Sequence, residues 1–145
     1  MINTLKAVIE QSGHDINEGK LFVKVNLLID GICPLQCNDD DFDIGELINS
    51  VKRDGTYFIW TCSCGTPGCA GYFKGITVEE YNCYTLWTDS DLNKKYKFKT
   101  EELKAEIQSL YDEVLKWDKI AISRNEELNI LPSWTMKYLV PAISN

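Results

Sequence analysis

Leu103, Ile107, Leu110, Val114, Trp117 and Ala121 recur at alternating steps of four and three. That rhythm places all six on one face of a 3.6-residue helix. Tyr111 and Leu115 widen the stripe. Thr100 is a candidate N-cap, and Glu101 and Glu102 suit the positive end of the helix dipole. A stripe this broad must be buried against something, and the usual partner is a sheet of the same domain. The segments before it alternate at period two, so the chain is expected to fold as α+β.

Leu21 to Asp30 is the clearest strand, with Val23, Val25, Leu27 and Ile29 on one face. Asp30-Gly31 is a turn pair, and Pro34 confines Ile32 to Gln36 to an edge or a loop. Thr56 to Cys62 reads as a central strand rich in aromatic and β-branched residues. Tyr72 to Val78 and Cys83 to Trp87 read as a hairpin joined by residues 79 to 82, and Tyr96 to Lys99 as a further strand. Residues 3 to 11 fit a short helix or an edge strand, and Ser12 to Asp15 a loop. Asp43 opens a short helix, with Glu46 three residues on as in a capping box, and Gly55 follows its end. The apolar segment from Leu128 to Ile143, broken by Pro132 and Pro141, is expected to wrap on the core. These readings predict one domain over residues 1–145. It has a mainly antiparallel sheet of about five strands, with the Thr100–Ile122 helix on one face.

The chain has 145 residues, 22 acidic against 15 basic, for a net charge of −7. A nucleic-acid binder is expected to carry a basic face, so the overall charge argues against that class; it would attract a basic protein partner, or it simply keeps the chain soluble. No apolar run approaches the roughly 20 residues of a membrane span, and the start does not read as a signal peptide. The expectation is a cytoplasmic protein with no membrane partner. Six cysteines in such a chain read as reduced thiols or metal ligands rather than disulfides.

Thr61 to Gly71 is the most distinctive stretch, with Cys62, Cys64 and Cys69 spaced C-x-C-x4-C around two glycines and a proline. Tight glycine turns bring thiolates together, and zinc takes four such ligands in a tetrahedron. Cys83 would be the fourth, with Cys33, Cys37 and His14 as the other candidates. No second knuckle accompanies the turn, so buried structural thiols and a redox pair stand beside the zinc reading.

His14 is the only histidine and so the one obvious acid–base group near neutral pH. An enzyme with a cysteine nucleophile would require a cysteine beside it. Asp39, Asp40, Asp41 and Asp43 fail the calcium-loop pattern, since position six is Ile44 and position twelve Ser50. They read instead as a mobile acidic loop, either solvated and helix-capping or, with Glu79 and Glu80, a contact for a basic partner. Lys94, Lys95, Lys97 and Lys99 surround Tyr96 and Phe98. Aromatic platforms beside lysines suit single-stranded nucleic acid, but the overall charge favours a solvated strand face.

Val25-Asn26, Leu47-Ile48, the T-C-S-C-G-x-P-G-C-A-G turn, Tyr84-Thr85-Leu86-Trp87 and Tyr96-Lys97-Phe98 follow one another in a recognisable order. In this the chain resembles a group of small uncharacterised bacterial proteins with a C-x-C-G-x-x-G-C-x-G motif ending a strand. The resemblance covers residues 21 to 110 and implies no chemistry. In kind (size, acidity, no catalytic motif) the chain also resembles immunity proteins of toxin systems, including contact-dependent inhibition. That likeness implies a non-enzymatic protein that neutralises a cognate basic toxin through an acidic surface. The alternative is a small structural zinc module held by Cys62, Cys64, Cys69 and Cys83.

Overall fold

The computed structural model describes residues 1–15, 17–35, 40–62 and 71–131. The chain is α+β, with sheets that are mainly antiparallel and a long helix packed across them.

Strand β1 (Leu5–Asp15) and strand β2 (Lys20–Ile29) form a long antiparallel hairpin. Leu21, Val23, Val25, Leu27 and Ile29 are all buried, as their period-two spacing requires. Residues 3 to 11 are therefore mostly strand. Ser12 to Asp15 are strand as well, not loop, because Ser12, Gly13, His14 and Asp15 pair in register with Val23, Phe22, Leu21 and Lys20. Ladder pairing overrides their turn-like composition, and Gly19, at φ 65°, takes the left-handed position before β2 instead. At the far end Asp30 (φ 54°) and Gly31 (φ 80°) turn the chain, and Ile32 pairs back on Ile29.

Strand β3 (Asp40–Phe42) leads into helix α1 (Ile44–Ser50). Asp40 and Asp41 thus belong to a strand, paired with Cys62 and Thr61, rather than to a polar loop. Asp43 is the N-cap as expected, and its carboxylate accepts from the Glu46 N–H at 3.0 Å. The reciprocal half of a capping box is missing. The Asp43 N–H donates to the Ile59 carbonyl at 2.7 Å, and the Phe58 N–H lies near the Glu46 carboxylate, where it favours the charged form. The start of α1 is thereby stitched to the next strand segment.

That segment is two strands, not one. Strand β4 (Gly55–Tyr57) pairs with β6 (Ile76–Tyr81), while β5 (Trp60–Cys62) pairs with β3. Phe58 and Ile59 carry the chain from one sheet to the other. Gly55 begins β4 and has no positive φ, so it is not a left-handed helix cap.

Strand β6, β7 (Tyr84–Asp89) and β8 (Lys94–Lys99) complete a four-stranded sheet in the order β4-β6-β7-β8. The β6–β7 turn is Asn82-Cys83 and not residues 79 to 82, because Glu79, Glu80 and Tyr81 stay in register with Leu86, Thr85 and Tyr84. Nine strands are described rather than about five. The additions are β1, β3, the second half of the split segment, and β9 (Glu127–Leu131), which lies parallel to β2.

Helix α2 (Thr100–Ser123) matches the expected span. Leu103, Ile107, Leu110, Tyr111, Val114 and Ala121 are buried, and Leu115 and Trp117 pack at the margin. The helix crosses β7 and β8 of one sheet and β1, β2 and β9 of another. Thr100 is not its N-cap. Lys99 holds that position without a side-chain cap, and the Thr100 hydroxyl is buried against that of Thr85 at 2.8 Å. Asn3 closes the gap between the two sheets. Its N–H donates to the Lys97 carbonyl at 2.7 Å, and its side-chain oxygen accepts from the Lys97 N–H at 2.9 Å. The wrapping expected of the C-terminal segment is described only as far as β9, and the rest lies outside the described residues. No described helix is long and apolar enough to cross a membrane.

Candidate functional site at the β6–β7 hairpin tip

Glu79, Glu80, Tyr81, Asn82 and Cys83 are all exposed at one end of the four-stranded sheet. The local sequence explains the tip. Asn82 adopts φ 52°, a left-handed conformation that asparagine tolerates, and so a two-residue turn reverses the chain. The ladder beside it is unbroken from Ile76–Asp89 to Tyr81–Tyr84.

Neighbouring elements hold the tip from two sides. The Glu80 N–H donates to Asp54 at 2.9 Å, and the Lys104 ammonium lies 3.3 Å from the Glu80 carboxylate. The Thr100 N–H donates to the Cys83 carbonyl at 2.8 Å, which seats the start of α2 on the turn. Asp54, Glu79, Glu80 and Glu101 are therefore exposed at this end, with Glu79 and the 59% exposed Tyr81 on the sheet face turned away from α2 and Glu80 on the face toward it. Lys104 offsets part of that charge at the helix side.

The residues expected to form one acidic contact do not share one environment. Glu79 and Glu80 are at the tip. Asp43 is half-buried at α1, where burial raises its carboxyl above the ordinary range despite amide bonds from Glu46 and Gly45. Glu46 is raised too, by burial first and then by the charge of Asp43. Asp40 and Asp41 lie on β3, and Asp39 lies outside the described residues.

The cysteine turn is described only at its edge. Cys62 ends β5, and Cys37, Cys64 and Cys69 lie outside the described residues. Cys83 and Cys33 are exposed free thiols. Trp60 of β5 bonds Asp89, at the end of β7 remote from Cys83, and the five steps from Tyr84 to Asp89 span about 17 Å. Among the described residues no three His, Cys, Asp or Glu side chains are placed to hold one metal ion.

His14 is exposed, and it lies on β1 rather than in a loop. Its Nδ1 lies 2.9 and 3.0 Å from the two Glu126 oxygens, and the Arg124 Nε is 3.1 Å from one of them. This cluster ties the end of β1 to the turn before β9. A cleft of about 350 Å³ opens between the Asp30-Gly31 turn and the start of β8, with Cys33, Lys94 and Tyr96 in its wall.

Residue counting identified Glu79 and Glu80 but missed Tyr81, Asp54 and Glu101 as their neighbours. An aromatic residue between two glutamates and a turn pair was the available signal, and the displaced turn assignment hid it. No family model, curated protein or solved structure matches the chain.

Proposed function

We propose that this chain is a non-enzymatic binding protein that takes a basic protein partner on the acidic tip of the β6–β7 hairpin. In its most concrete form it is an immunity protein, and the partner is a toxin whose basic active site the tip occludes. The observation that carries the reading is the 59% exposed Tyr81 at the end of β6 beside a braced turn, with Glu79 on its face and Glu80 and Asp54 at the same end of the sheet. Exposed tyrosines are frequent anchors of protein interfaces, and a rigid turn loses little conformational freedom on binding. Surrounding carboxylates steer a basic partner and reject an acidic one. The net charge of −7 acts in the same direction at longer range.

The test pairs the chain with the C-terminal toxic domain of a large secreted protein encoded directly upstream of its gene. The wild-type chain is expected to bind that domain and to protect cells that express it. Glu79→Lys/Glu80→Lys is expected to slow association by about tenfold and flatten its salt dependence. Tyr81→Ala is expected to speed dissociation. If the gene has no such neighbour, or the wild-type chain neither binds nor protects, the reading fails.

A further inference from the structure

The registers of β6, β7 and β8 define two faces of their sheet. Ile76, Val78, Trp87, Asp89 and Phe98 are buried on the face under α2. Alternation puts Thr77, Glu79 and Tyr81 of β6 on the other face, with Tyr84, Leu86 and Thr88 of β7 and Lys95, Lys97 and Lys99 of β8. Glu79, Leu86 and Lys97 follow one another across it, as do Tyr81, Tyr84 and Lys99. The ammonium of Lys97 lies 4.2 Å from the centre of the Tyr84 ring, which confirms that the lysine row and the tyrosines share this face.

Alternation along the sequence already sets Lys97 and Lys99 on the face opposite Tyr96 and Phe98. Phe98 is buried beneath the helix, and the aromatic partners of the row come from β6 and β7. The three lysines are exposed, and among the described residues only Lys99 of the three has an ion pair, to Glu102 at 4.0 Å. Positions i, i+2 and i+4 of a strand lie about 7 Å apart, so the row is a regular line of positive charge. Three adjacent lysines repel one another, and a polyanion laid along them relieves that repulsion. Asn3 clamps the middle of the row through both backbone groups of Lys97.

We propose that this open sheet face binds single-stranded nucleic acid, with its phosphates along Lys95, Lys97 and Lys99 and its bases against Tyr84 and Tyr81. A lysine line beside aromatic rings on an open sheet combines the two elements of such sites, backbone charge and stacking surface. An acidic polypeptide would use the lysines and leave the rings idle. The overall negative charge does not forbid this. At physiological salt, charges are screened over about 8 Å, so the face acts through its own three lysines against Glu79 and the Glu102 that pairs with Lys99, a positive balance. The inference goes beyond the proposed protein partner; the two sites share Glu79 and Tyr81, and the lysine triple variant, which leaves the acidic tip intact, tells their failures apart.

The test is fluorescence anisotropy of end-labelled oligouridylate and oligothymidylate of about 12 nucleotides with the full chain at low salt. Binding in the micromolar to hundred-micromolar range is expected, and log K should fall against log salt with a slope of about −2 for three phosphate contacts. Lys95→Gln/Lys97→Gln/Lys99→Gln should abolish it. Tyr84→Leu should weaken it by about tenfold and leave the slope unchanged. Lys116→Gln/Lys119→Gln on α2 controls for charge alone and should leave it intact. No binding at about 100 µM protein overturns the proposal, as does binding that survives the triple variant. Polyglutamate that competes equally, with Tyr84→Leu inert, overturns it in favour of an acidic polypeptide.

Discussion

The indole Nε1 of Trp60 donates to the carboxylate of Asp89 across 2.7 Å, and both side chains are buried. The bond joins the β3–β5 pair to the four-stranded sheet. The other Asp89 oxygen accepts from the N–H groups of Asp91 and Leu92 at 3.1 and 3.0 Å, which shapes the turn into β8. Asp91 in turn accepts from the N–H groups of Lys74 and Gly75. Asp89→Ala strands three donors at once and is expected to cost about 3 kcal/mol in urea denaturation. Asp89→Asn keeps one acceptor oxygen and should cost less. An alanine variant within about 0.5 kcal/mol of wild type would show that water replaces the carboxylate.

Thr85 and Thr100 supply a second buried polar contact, hydroxyl to hydroxyl at 2.8 Å, between β7 and the first turn of α2. Either single change to valine leaves the other hydroxyl unpaired and should cost about 1–2 kcal/mol. The double variant Thr85→Val/Thr100→Val removes both polar groups with little change of shape. It should lose clearly less than the sum of the singles, and a double-mutant cycle reads that coupling. Additive losses would mean that the pair contributes no interaction of its own.

Burial raises the carboxyls of Asp43 and Glu46 above their ordinary values of 3.8 and 4.5, and at Glu46 the Asp43 charge adds to the effect. A carboxylate with a raised folded pKa binds its proton more tightly in the native state than in the unfolded one. These two groups therefore favour the fold as the pH drops toward the ordinary values, and disfavour it once the pH is above the raised ones. In Asp43→Asn/Glu46→Gln the asparagine still caps the helix and the glutamine oxygen still accepts a backbone bond. The variant should melt higher than wild type near pH 7, and the difference should vanish near pH 4. Melting curves that stay parallel over that range would contradict the assignment.

Cys83 sits exposed on the β6–β7 turn with a free thiol. Cys83→Ser is expected to change the unfolding free energy by less than about 0.5 kcal/mol, with or without a chelator. A loss of stability in Cys83→Ser that matches the loss caused by chelating wild type would make Cys83 a metal ligand, and would restore the zinc module with Cys62, Cys64 and Cys69.

Some of this protein was legible in its residues alone. The Leu103–Ala121 stripe located α2, and the Leu21–Ile29 alternation located the buried face of β2. Both are long, periodic segments, and the burial of an apolar face leaves them few alternatives. The Asp43 cap and the Asp30-Gly31 turn were equally readable, since each is set by chemistry within a few residues. The candidate site was half visible. Glu79 and Glu80 were found as a charged pair, while the turn beside them was misplaced toward their own positions.

Tertiary structure decided the rest through pairing between residues far apart in the chain. Ser12 to Asp15 became strand because β2 offered a ladder, and Thr56 to Cys62 split because its halves found different partners. Thr100 gave up capping for a hydroxyl on β7. Which aromatic rings flank the lysines of β8 depended on the register of three strands. Local sequence sets the period of a segment and the chemistry of a turn. Neighbours across a sheet come from backbone hydrogen bonds that any residue except proline can make, so composition leaves them open until the chain has folded.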